Sequence, residues 1–374
     1  MIILVISSII IAAALVSGFL LLWRIPLVQS IDGIEDKRPA ESVSVIIPAR
    51  NEALRLPLLL ESLCQQEFQP EEIIVVDDQS TDSTAQIATA AGVQVISVTE
   101  LEDGWIGKSK ACWSGARLSA GEWLLFLDAD TRLVNPFSLR RLLINFETLG
   151  GRGSLSVQPY HTVVRFYESL SAVFNIIVMA GMNVFTPWGT RVPSAGLFGP
   201  CMLCRRDDYF RVGGHEAIRG DVMEDLSLGQ AFRKGGLPVH CLGGREVISF
   251  RMYPDGLAQL IEGWTKNFGT AASSTHPLIF AMIIAWISGG FSTLTLLLYG
   301  IRDSSLLWIS AGILAYMFYA LQLLWLARKV GNFHPMLFTV FPVLLGFFTL
   351  IFLKSFYQTK VLRTVSWRGR QVKV

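Results

Sequence analysis

The sequence is poor in charged residues. Asp, Glu, Lys and Arg make up 17% of its 374 residues, whereas soluble domains contain roughly 25%. Hydrophobic residues account for 51% of the chain, and the mean hydropathy is +0.45. A chain with so much apolar material is neither intrinsically disordered nor collagen-like. The composition therefore indicates a protein that is associated with a membrane.

Cysteine is also scarce. Five cysteines are too few for a small disulfide scaffold. Cys201 and Cys204 form one C-x-x-C pair, but no second pair stands at the spacing of a zinc site. We therefore expect these two cysteines to be small core residues rather than part of a metal or redox centre.

Acidic residues are almost absent from both ends of the chain. Residues 1–30 contain one base and no acid, and residues 275–374 contain nine bases and one acid. These ends carry net charges of +1 and +8, so residues 31–274 carry −7 within the total of +2. The near-neutral total hides an acidic middle between two basic, apolar ends.

Four long stretches contain no Asp, Glu, Lys or Arg. The first, residues 2–23, would reach about 33 Å as a helix, enough to cross the hydrocarbon core of a bilayer. A cleaved signal peptide is the alternative, but no base precedes this run, and the run is longer than such peptides usually have. An uncleaved anchor is therefore favoured. The other three runs are residues 277–299, 305–327 and 335–353.

Basic residues beside these runs predict how the chain is oriented. Arg24, Lys37 and Arg38 follow the first run, so the positive-inside rule places the next domain in the cytosol. If all three C-terminal runs crossed the bilayer, the basic tail would emerge outside, against the same rule. We therefore expect one run to be re-entrant or interfacial, and we favour the third because Pro342 interrupts it. The lack of charges within the runs argues against a transporter and favours a multi-pass anchor in the cell membrane.

Composition shifts divide the chain into five parts. We predict an N-terminal transmembrane anchor at 1–24, a linker at 25–41, an α/β domain at 42–274, membrane segments at 275–353 and a basic tail at 354–374.

The middle part alternates between β-branched runs and helical patterns. Strands are predicted at 42–47, 72–76, 93–98 and 123–127, and helices at 53–66, 82–91, 110–118 and 136–149. This alternation predicts right-handed βαβ units and a largely parallel sheet, whose ligands bind beyond the carboxyl ends of the strands. The chain lacks the G-x-G-x-x-G and P-loop motifs, which argues against a dinucleotide or a Walker-type triphosphate site.

Acidic residues follow three of the predicted strands. Asp78 comes after four apolar residues and an acid, where a ribose or a base edge would be a specific partner. Asp82, by contrast, is expected only to cap the next helix. Asp128 and Asp130 follow the fourth predicted strand, and if the strand alternation continued through them it would turn both side chains to one side. Two convergent carboxylates form an oxygen site for Mg²⁺ or Mn²⁺, with a diphosphate completing the shell.

Glu224 and Asp225 begin a further helical pattern. Taken alone, acids at such a place stabilise the helix N-terminus. Combined with a metal and diphosphate site, Asp225 would accept a proton from an acceptor that attacks an anomeric carbon opposite the leaving nucleotide diphosphate. The metal and a cation such as Lys108 would stabilise the charge that develops on the leaving group.

Together these residues resemble the family 2 glycosyltransferases with the GT-A fold. The matching elements are PARNE at 48–52, VVDDQSTD at 75–82, DAD at 128–130 and ED at 224–225. The resemblance implies a nucleotide-sugar donor, a divalent metal and inversion at the anomeric carbon. It assigns the nucleoside to Ala49, Arg50, Glu52 and Asp78, the diphosphate and metal to Asp128 and Asp130, and the role of base to Asp225 beside Glu224.

A longer resemblance, to members of this family that esterify a carotenoid acid with glucose from UDP-glucose, covers most of the chain. It rests on the stretches WIGKSKAC at 105–112, LSVQPYH at 155–161, GMNVF at 181–185, FRMY at 250–253, EGWTK at 262–266 and WRGRQ at 367–371. The acceptor it implies is a carotenoid acid or another lipid in the membrane, and no nucleic-acid partner is expected. Transfer to a glycerolipid, a polyprenyl phosphate or another isoprenoid is the alternative, followed by a non-catalytic scaffold that binds nucleotide sugars.

The chain departs from the processive polysaccharide synthases of the wider family. Their Q-x-x-R-W element is replaced by the stretch around Trp264, which Glu262 and Lys266 flank, so the transfer of a single sugar is favoured. Trp264 and Lys266 are candidates for binding the sugar or the acceptor, and a packed core aromatic is an equal alternative for Trp264. A carboxylate acceptor is already ionised at pH 7, so Asp225 would orient it, whereas a hydroxyl acceptor would need Asp225 as a base.

Three further features have two readings each. His161 and His215 lie near motif residues, where a structural histidine is more common than one that binds a metal or phosphate. The uncharged segment 169–185 is either a core helix or a surface segment that delivers the lipid.

Overall fold

A computed structural model describes residues 2–29, 39–98, 104–105, 107–221, 223–271, 274–362, 364–367 and 370–373. The chain forms two compact units. The first, called the sheet unit, comprises Pro26–Tyr160 and Ser194–Met252. The second, called the membrane unit, comprises Met1–Ile25, His161–Pro193 and Tyr253–Val374.

The strands found in the described ranges are β1 (Val43–Ala49), β2 (Glu72–Asp77), β3 (Gln94–Ser97), β4 (Trp123–Leu127), β5 (Thr131–Leu133), β6 (Ser154–Gln158), β7 (Tyr160–His161), β8 (Cys201–Arg205), β9 (Val239–Gly243), β10 (Ile248–Phe250), β11 (Thr364–Trp367) and β12 (Arg370–Lys373). Seven of them form one sheet in the order β3-β2-β1-β4-β8-β6-β9. The small sheets are β5-β10-β7 and β11-β12.

The α-helices of the same ranges are α1 (Ile2–Leu21), α2 (Leu56–Cys64), α3 (Thr84–Ala90), α4 (Gly107–Leu118), α5 (Ser138–Thr148), α6 (Ala172–Gly181), α7 (Arg206–Arg211), α8 (Glu224–Lys234), α9 (Leu257–Ala271), α10 (Pro277–Arg302), α11 (Leu306–Val330) and α12 (Phe341–Tyr357). Short 3-10 segments span Phe166–Ser171, Gly189–Arg191 and Pro335–Val340, and a π-helical turn spans Gln358–Leu362.

The large sheet is parallel on one side and mixed on the other. Strands β3, β2, β1 and β4 run parallel, and β8 is antiparallel to both β4 and β6. Val45 and Ile47 of β1 lie in the hydrophobic cluster formed with α2 and α5, whereas Ile46 lies in the cluster formed with α4 and α8. Because alternate residues face opposite sides of a strand, both faces of this sheet are covered and its strands are apolar throughout.

The strand ends follow the sequence prediction closely. Strand β1 extends two residues further than predicted, through Pro48 to Ala49. Its pairing with β4 ends at Ile46, so the N–H that Pro48 lacks is not needed there. Helix α2 begins at Leu56, three residues after its predicted start, because residues 53–55 form a turn. The α/β architecture with a largely parallel sheet is confirmed.

An ion pair connects the residues just before β6 to α7 within the sheet unit. Arg152 donates to both carboxylate oxygens of Asp208, from Nε at 2.9 Å and from Nη2 at 3.0 Å. The backbone N–H of Gly153 also donates to Asp208 at 2.7 Å. These bonds hold the pKa of Asp208 below its ordinary value, although burial acts in the opposite direction.

The membrane unit contains the apolar helices. Among the described residues, four helical segments are long and apolar enough to cross a membrane: α1, α10, α11 and the pair formed by Pro335–Val340 and α12. A polar cluster connects three of them. Gln322 of α11 accepts a hydrogen bond from Trp286 of α10 and donates one to the carbonyl of Leu15 in α1. Such interhelical hydrogen bonds satisfy polar groups that lipid cannot.

Helix α6 resolves the two readings of segment 169–185 in favour of a core helix, since most of its side chains are buried. By packing, residues 161–193 and 253–271 belong to the membrane unit. The predicted limits of the α/β domain at 42 and 274, and those of the other parts, stay predictions.

Candidate active site

Three parallel strands end side by side at one edge of the large sheet. Ala49 at the end of β1 is in register with Asp77 at the end of β2, and Ile46 of β1 with Phe126 of β4. The residues that follow these strands, Arg50, Asp78 and Asp128, are therefore brought to the same edge. This is the edge at which open α/β sheets bind ligands.

Arg50 and Asp78 contact each other directly. The Nη1 atom of Arg50 donates to the carbonyl of Asp78 at 3.1 Å and lies 3.6 Å from its carboxylate. The N–H of Asp78 donates to the carbonyl of Ala49 at 2.8 Å. A Cβ atom at Gly107, the first residue of α4, would overlap the carboxylate of Asp78. Asp78 thus lies in a tight space between the loop after β1 and the start of α4.

Glu52 completes this side of the site. Its side chain is buried, and its carboxylate accepts a hydrogen bond from Arg55 at 2.9 Å. Its backbone N–H donates to the hydroxyl of Thr84 at 2.8 Å. Asp82 accepts hydrogen bonds from the N–H groups of Ala53 and Thr84, which fits the capping role expected of it.

Lys108 lies between two carboxylates. Its Nζ atom is 2.8 Å from Oδ1 of Asp128 and 3.2 Å from Oε1 of Glu224. Helix α4 supplies the ammonium, the residue after β4 supplies the first carboxylate, and the start of α8 supplies the second. Three separate elements therefore converge on one ion-pair cluster.

Asp225 is positioned by the segment before β8. Its Oδ2 accepts a hydrogen bond from the N–H of Gly199 at 3.1 Å, and its carbonyl accepts one from the N–H of Leu197 at 3.3 Å. In the same segment, the carbonyl of Pro200 accepts from the N–H of Asp128 at 3.0 Å. One short stretch of backbone thus fixes Asp225 and Asp128 relative to each other.

Burial and like charges shift the pKa values of this cluster. Burial, and after it the negative charge of the neighbouring Glu224, raise the pKa of Asp225 to about 6. Burial also raises the pKa of Asp128, against the attraction of Lys108. Burial lowers the pKa of Lys108, but the negative charges of Asp128 and Glu224 raise it by more. The pKa of Lys108 is therefore held well above its ordinary value. Three carboxylates facing one ammonium leave the cluster with excess negative charge when all are ionised.

The wall behind this cluster is mostly apolar, and a hydrogen-bonded pair of aromatic side chains, Tyr209 and His215, lies in it. Oη of Tyr209 lies 2.9 Å from Nδ1 of His215 and accepts the backbone N–H of His215 at 3.1 Å. Burial lowers the pKa of His215 to about 3, so its ring is neutral. The hydroxyl of Tyr209 and Nδ1 of His215 hydrogen-bond each other in a buried position, which favours the structural reading of this histidine. The pocket is lined by Pro48, Lys108, Cys112, Phe126, Asp128, Gly199, Met202, His215, Glu224, Asp225 and Leu228.

Comparison with known proteins identifies the class of this site. The family described as "Glycosyl transferase family 2" matches residues 44–207. The chain is 37% identical over 335 residues to the 4,4'-diaponeurosporenoate glycosyltransferase of Staphylococcus aureus (strain MRSA252), covering 89% of each sequence. The chain belongs to glycosyl transferase family 2. The corresponding protein of strain USA300 matches with the same identity and coverage.

A solved structure of a glycosyltransferase supports the fold of this family 2 member. A mannosyltransferase, PcManGT from Pyrobaculum calidifontis, solved in complex with GDP-Man and Mn²⁺, aligns with a TM-score of 0.54 at 17% identity. The alignment covers 94% of this chain and 99% of that one. This likeness shows the GT-A fold, whereas the family match and the 37% identical relatives show the glycosyltransferase class, so the alternative of a non-catalytic scaffold is not retained.

The predicted metal ligands lie in a turn of this family 2 enzyme rather than in a strand. Strand β4 ends at Leu127, and residues 129–130 form a turn before β5, so the alternation argument for Asp128 and Asp130 does not apply to them. In the part of the chain that the structure describes, no three His, Cys, Asp or Glu side chains form a metal-binding group. Mg²⁺ is commonly held by one or two carboxylates with substrate phosphates supplying further oxygens. Asp128 lines the pocket and could supply one such carboxylate, and the role of Asp130 as a second ligand stays a prediction.

Trp264 belongs to the membrane unit and is packed inside it. Its ring is 3% exposed and stacks on Phe174 at a centroid distance of 4.8 Å. Its Nε1 donates to the hydroxyl of Ser171 at 3.0 Å. These contacts favour the packed-aromatic alternative, and a sugar- or acceptor-binding role for Trp264 stays a prediction. The side chain of Lys266 lies outside the described residues.

Sequence reasoning overlooked Gly199 and Cys112. Gly199 has little room for a side chain between Asp225 and Lys108, since a Cβ atom would lie 3.1 Å from Oδ2 and 3.2 Å from Nζ. Only the Gly-Pro dipeptide before a strand hinted at a tight backbone there. Cys112 lines the pocket one turn after Lys108 and carried no signal of its own. Cys201 and Cys204 are buried free cysteines of β8, as expected of core residues.

Proposed function

We propose that this glycosyltransferase transfers one glucose from UDP-glucose, with inversion, to the carboxylate of a carotenoid acid at the cytosolic face of the membrane. The observation that carries this proposal is the convergence of Lys108, Asp128 and Glu224 within 3.2 Å, with Asp225 held in the same pocket. The relatives that match across 89% of the chain are named for transfer to diaponeurosporenoate, a carotenoid acid, which supports the acceptor class.

The nucleoside is proposed to bind where β1 and β2 end. Ala49, Arg50, Glu52 and Asp78 lie together there, and Arg50 already contacts Asp78. A carboxylate in this place accepts hydrogen bonds from a ribose or a base edge. The close approach of Gly107 to Asp78 fixes the carboxylate against the start of α4.

The diphosphate requires additional positive charge at this site. Among the described residues that line the pocket, the three carboxylates of Asp128, Glu224 and Asp225 face one ammonium, that of Lys108, so this cluster alone would repel a nucleotide diphosphate. Asp128 and Asp130 would hold Mg²⁺ or Mn²⁺, which supplies charge neutralisation of the diphosphate when bound. The solved relative from Pyrobaculum was obtained with Mn²⁺, which supports a divalent metal without distinguishing the two ions.

The proposed reaction forms one bond and breaks one. A carboxylate oxygen of the acceptor attacks the anomeric carbon from the face opposite the nucleotide, and the bond from that carbon to the diphosphate oxygen breaks with its electron pair. Lys108 stabilises the negative charge that develops on the departing oxygen. Because the acceptor is ionised at pH 7, no proton is removed, and Asp225 is not needed as a base.

A hydroxyl-bearing lipid is the second candidate acceptor. The pKa of Asp225, raised to about 6, is close to the value at which a general base works best near neutral pH. With such an acceptor, Asp225 would take the hydroxyl proton as the new glycosidic bond forms. A hydroxyl acceptor therefore needs Asp225 as a base, whereas a carboxylate acceptor does not.

The cytosolic orientation is also a proposal. Arg24, Lys37 and Arg38 follow α1 in the sequence, and the positive-inside rule assigns that face to the cytosol. Nucleotide sugars are charged, so an enzyme that faces the cytosol reaches them without transporting them across the membrane.

Membranes that contain the full-length protein test the proposal directly. They are incubated with radiolabelled UDP-glucose, Mg²⁺ or Mn²⁺, and either a carotenoid acid or a hydroxyl-bearing isoprenoid. Label in an alkali-labile carotenoid ester supports the first candidate, and label only in an alkali-stable glycoside supports the second. Membranes with Asp128→Ala serve as the negative control. No transfer of label with either acceptor, although the protein binds UDP, would refute both.

A further inference from the structure

Three helices of the membrane unit share one end, called here the proximal face. Lys329 near the end of α11 donates from Nζ to the carbonyl of Leu22, the residue after α1, at 2.6 Å. Helix α10 is joined to α11 by residues 303–305 alone, so the two are antiparallel and α10 starts where α11 ends. The proximal face thus contains the end of α1, the start of α10 and the end of α11.

Helix α6 lies along the proximal face. Just before it, the hydroxyl of Ser169 accepts a hydrogen bond from the N–H of His334 at 3.1 Å, four residues after α11 ends at Val330. At its other end, a Cβ atom at Gly181 would lie 3.2 Å from the hydroxyl of Thr275, which precedes α10. Both ends of α6 are therefore fixed at the same level, and α6 marks the depth of this face.

The chain after His334 descends beside α11. Within the 3-10 segment Pro335–Val340, the carbonyl of Thr339 accepts a hydrogen bond from Tyr316 at 2.6 Å. Tyr316 precedes the end of α11 at Val330 by 14 residues, which corresponds to about 21 Å along a helix. The hydrocarbon core of a bilayer is about 30 Å thick. The chain therefore reaches past the middle of that core within the nine residues that follow Val330.

Helix α12 begins at this depth. The ring of Phe341 packs against those of Tyr316 and Tyr319, at centroid distances of 4.6 and 4.7 Å. Leu345 fills the space beside Gly290, near the middle of α10, where a Cβ atom would overlap it. Pro342 stands in the first turn of α12, the one place in a helix where its missing N–H costs nothing. Here the descending segment ends and the helix takes a new direction.

Helix α12 then returns to the proximal face. The ring of Phe348 lies 5.0 Å from that of Phe174, in the first turn of α6. Phe174 in turn stacks on Trp264 of α9. The most extensive packing partner of α12 is α9, and β11, which follows α12, also packs on α9. Since α9 leads directly into the start of α10, these contacts bring the end of α12 back to the face from which the chain descended.

We propose that residues 335–357 form a re-entrant hairpin, and that the six bases of the sequence from 354 to 374 bind anionic lipid headgroups of the proximal leaflet. Helix α12 alone has 17 residues and reaches about 26 Å, short of a full crossing. The segment contains no acid, and runs of about four to eight bases beside a membrane segment are typical of binding to anionic lipids. Its bases are Lys354, Lys360, Arg363, Arg368, Arg370 and Lys373.

Terminal tags on the full-length protein test the hairpin. With three crossings, by α1, α10 and α11, the N-terminus and the C-terminus lie on opposite sides of the membrane. With four crossings they lie on the same side. Protease is added to sealed right-side-out and inside-out vesicles that contain protein tagged at either end. We expect the two tags to be removed in vesicles of opposite orientation, and removal of both tags in the same orientation would refute the hairpin.

Lipid composition tests the partner. The C-terminally tagged protein is reconstituted in phosphatidylcholine alone or with phosphatidylglycerol, and the rate of tag removal by a protease is measured from the proximal side. We expect removal to be about tenfold slower with phosphatidylglycerol, and this protection to be lost at high salt. A variant with the six bases changed to Gln should show no protection in either lipid. Equal rates for the unaltered protein in both lipids would refute the lipid contact.

Discussion

Lys108→Met is the substitution that tests the active site most directly. The ammonium of Lys108 contacts Asp128 at 2.8 Å and Glu224 at 3.2 Å, and it is the cation proposed to stabilise the leaving diphosphate. Methionine keeps most of the side-chain volume and removes the charge. We expect kcat to fall by about 10²–10³, as it does when one donor that stabilises developing negative charge is removed. This loss corresponds to about 2.7–4 kcal/mol of transition-state stabilisation.

The effect on folding should be much smaller. At 2.8 Å and an effective dielectric constant of about 20, the attraction between Lys108 and Asp128 is about 6 kcal/mol before desolvation is subtracted. About a third of each side chain remains exposed, so solvent screening reduces the net contribution to about 1 kcal/mol. Lys108→Met should therefore lose much activity and little folding stability. Thermal unfolding of the purified variant measures the loss of stability.

Two companion variants complete this test. Lys110→Met, on the same helix, removes an ammonium that lies 4.9 Å above the ring of Trp105, and we expect kcat to change less than threefold. Lys108→Arg keeps the charge and should recover part of the rate. Initial rates are measured with radiolabelled donor at saturating acceptor. A loss below tenfold for Lys108→Met, or an equal loss for Lys110→Met, would refute the role assigned to Lys108.

Three other predictions address the base, the nucleoside site and the scaffold. For a hydroxyl acceptor, the rate should rise with pH through about 6 as Asp225 ionises and then level off, and Asp225→Asn should remove this rise and lower kcat by about 10²–10⁴. For a carboxylate acceptor, pH–rate profiles of both forms should be nearly flat above pH 6. Gly107→Ala should displace the carboxylate of Asp78 and weaken UDP binding about tenfold in calorimetry, and an unchanged affinity would contradict the placement of the nucleoside. Asp208→Asn should lower the free energy of unfolding by about 1–3 kcal/mol, because it weakens a bidentate charged pair, whereas Asn at the exposed neighbour Asp207 should change it little.

Much of the fold follows from local patterns in the sequence. The β-branched runs before Arg50 and Asp78 predicted β1 and β2 to within two residues, because buried parallel strands are apolar on both faces. The antiparallel placement of β8 between β4 and β6 carried no such signal. Strand order depends on long-range packing, and a single sequence contains no record of it.

The candidate site was predictable where the residue type dictates the chemistry. Asp78, Asp128 and Asp225 follow apolar runs or begin a helix, where acids need partners, so the sequence alone selected them. The pairing of Lys108 with Glu224 was not predictable, because it joins residues 116 positions apart through the end of β4. Gly199 was overlooked for a related reason: its importance lies in its backbone N–H and its missing side chain, and both are defined only by what packs against them.

The charge that counts for this enzyme is local rather than total. The net charge of +2 averages over an acidic middle and a C-terminal part with +8, and neither value describes a site. In the pocket, burial amplifies the excess of carboxylates over the ammonium of Lys108 and raises the pKa of both Asp128 and Asp225. A nucleotide diphosphate would add to the same excess, so its binding must be coupled to the binding of a cation. We therefore expect the three carboxylates to keep free anions out of the pocket, and the nucleotide-sugar donor to bind only together with the metal.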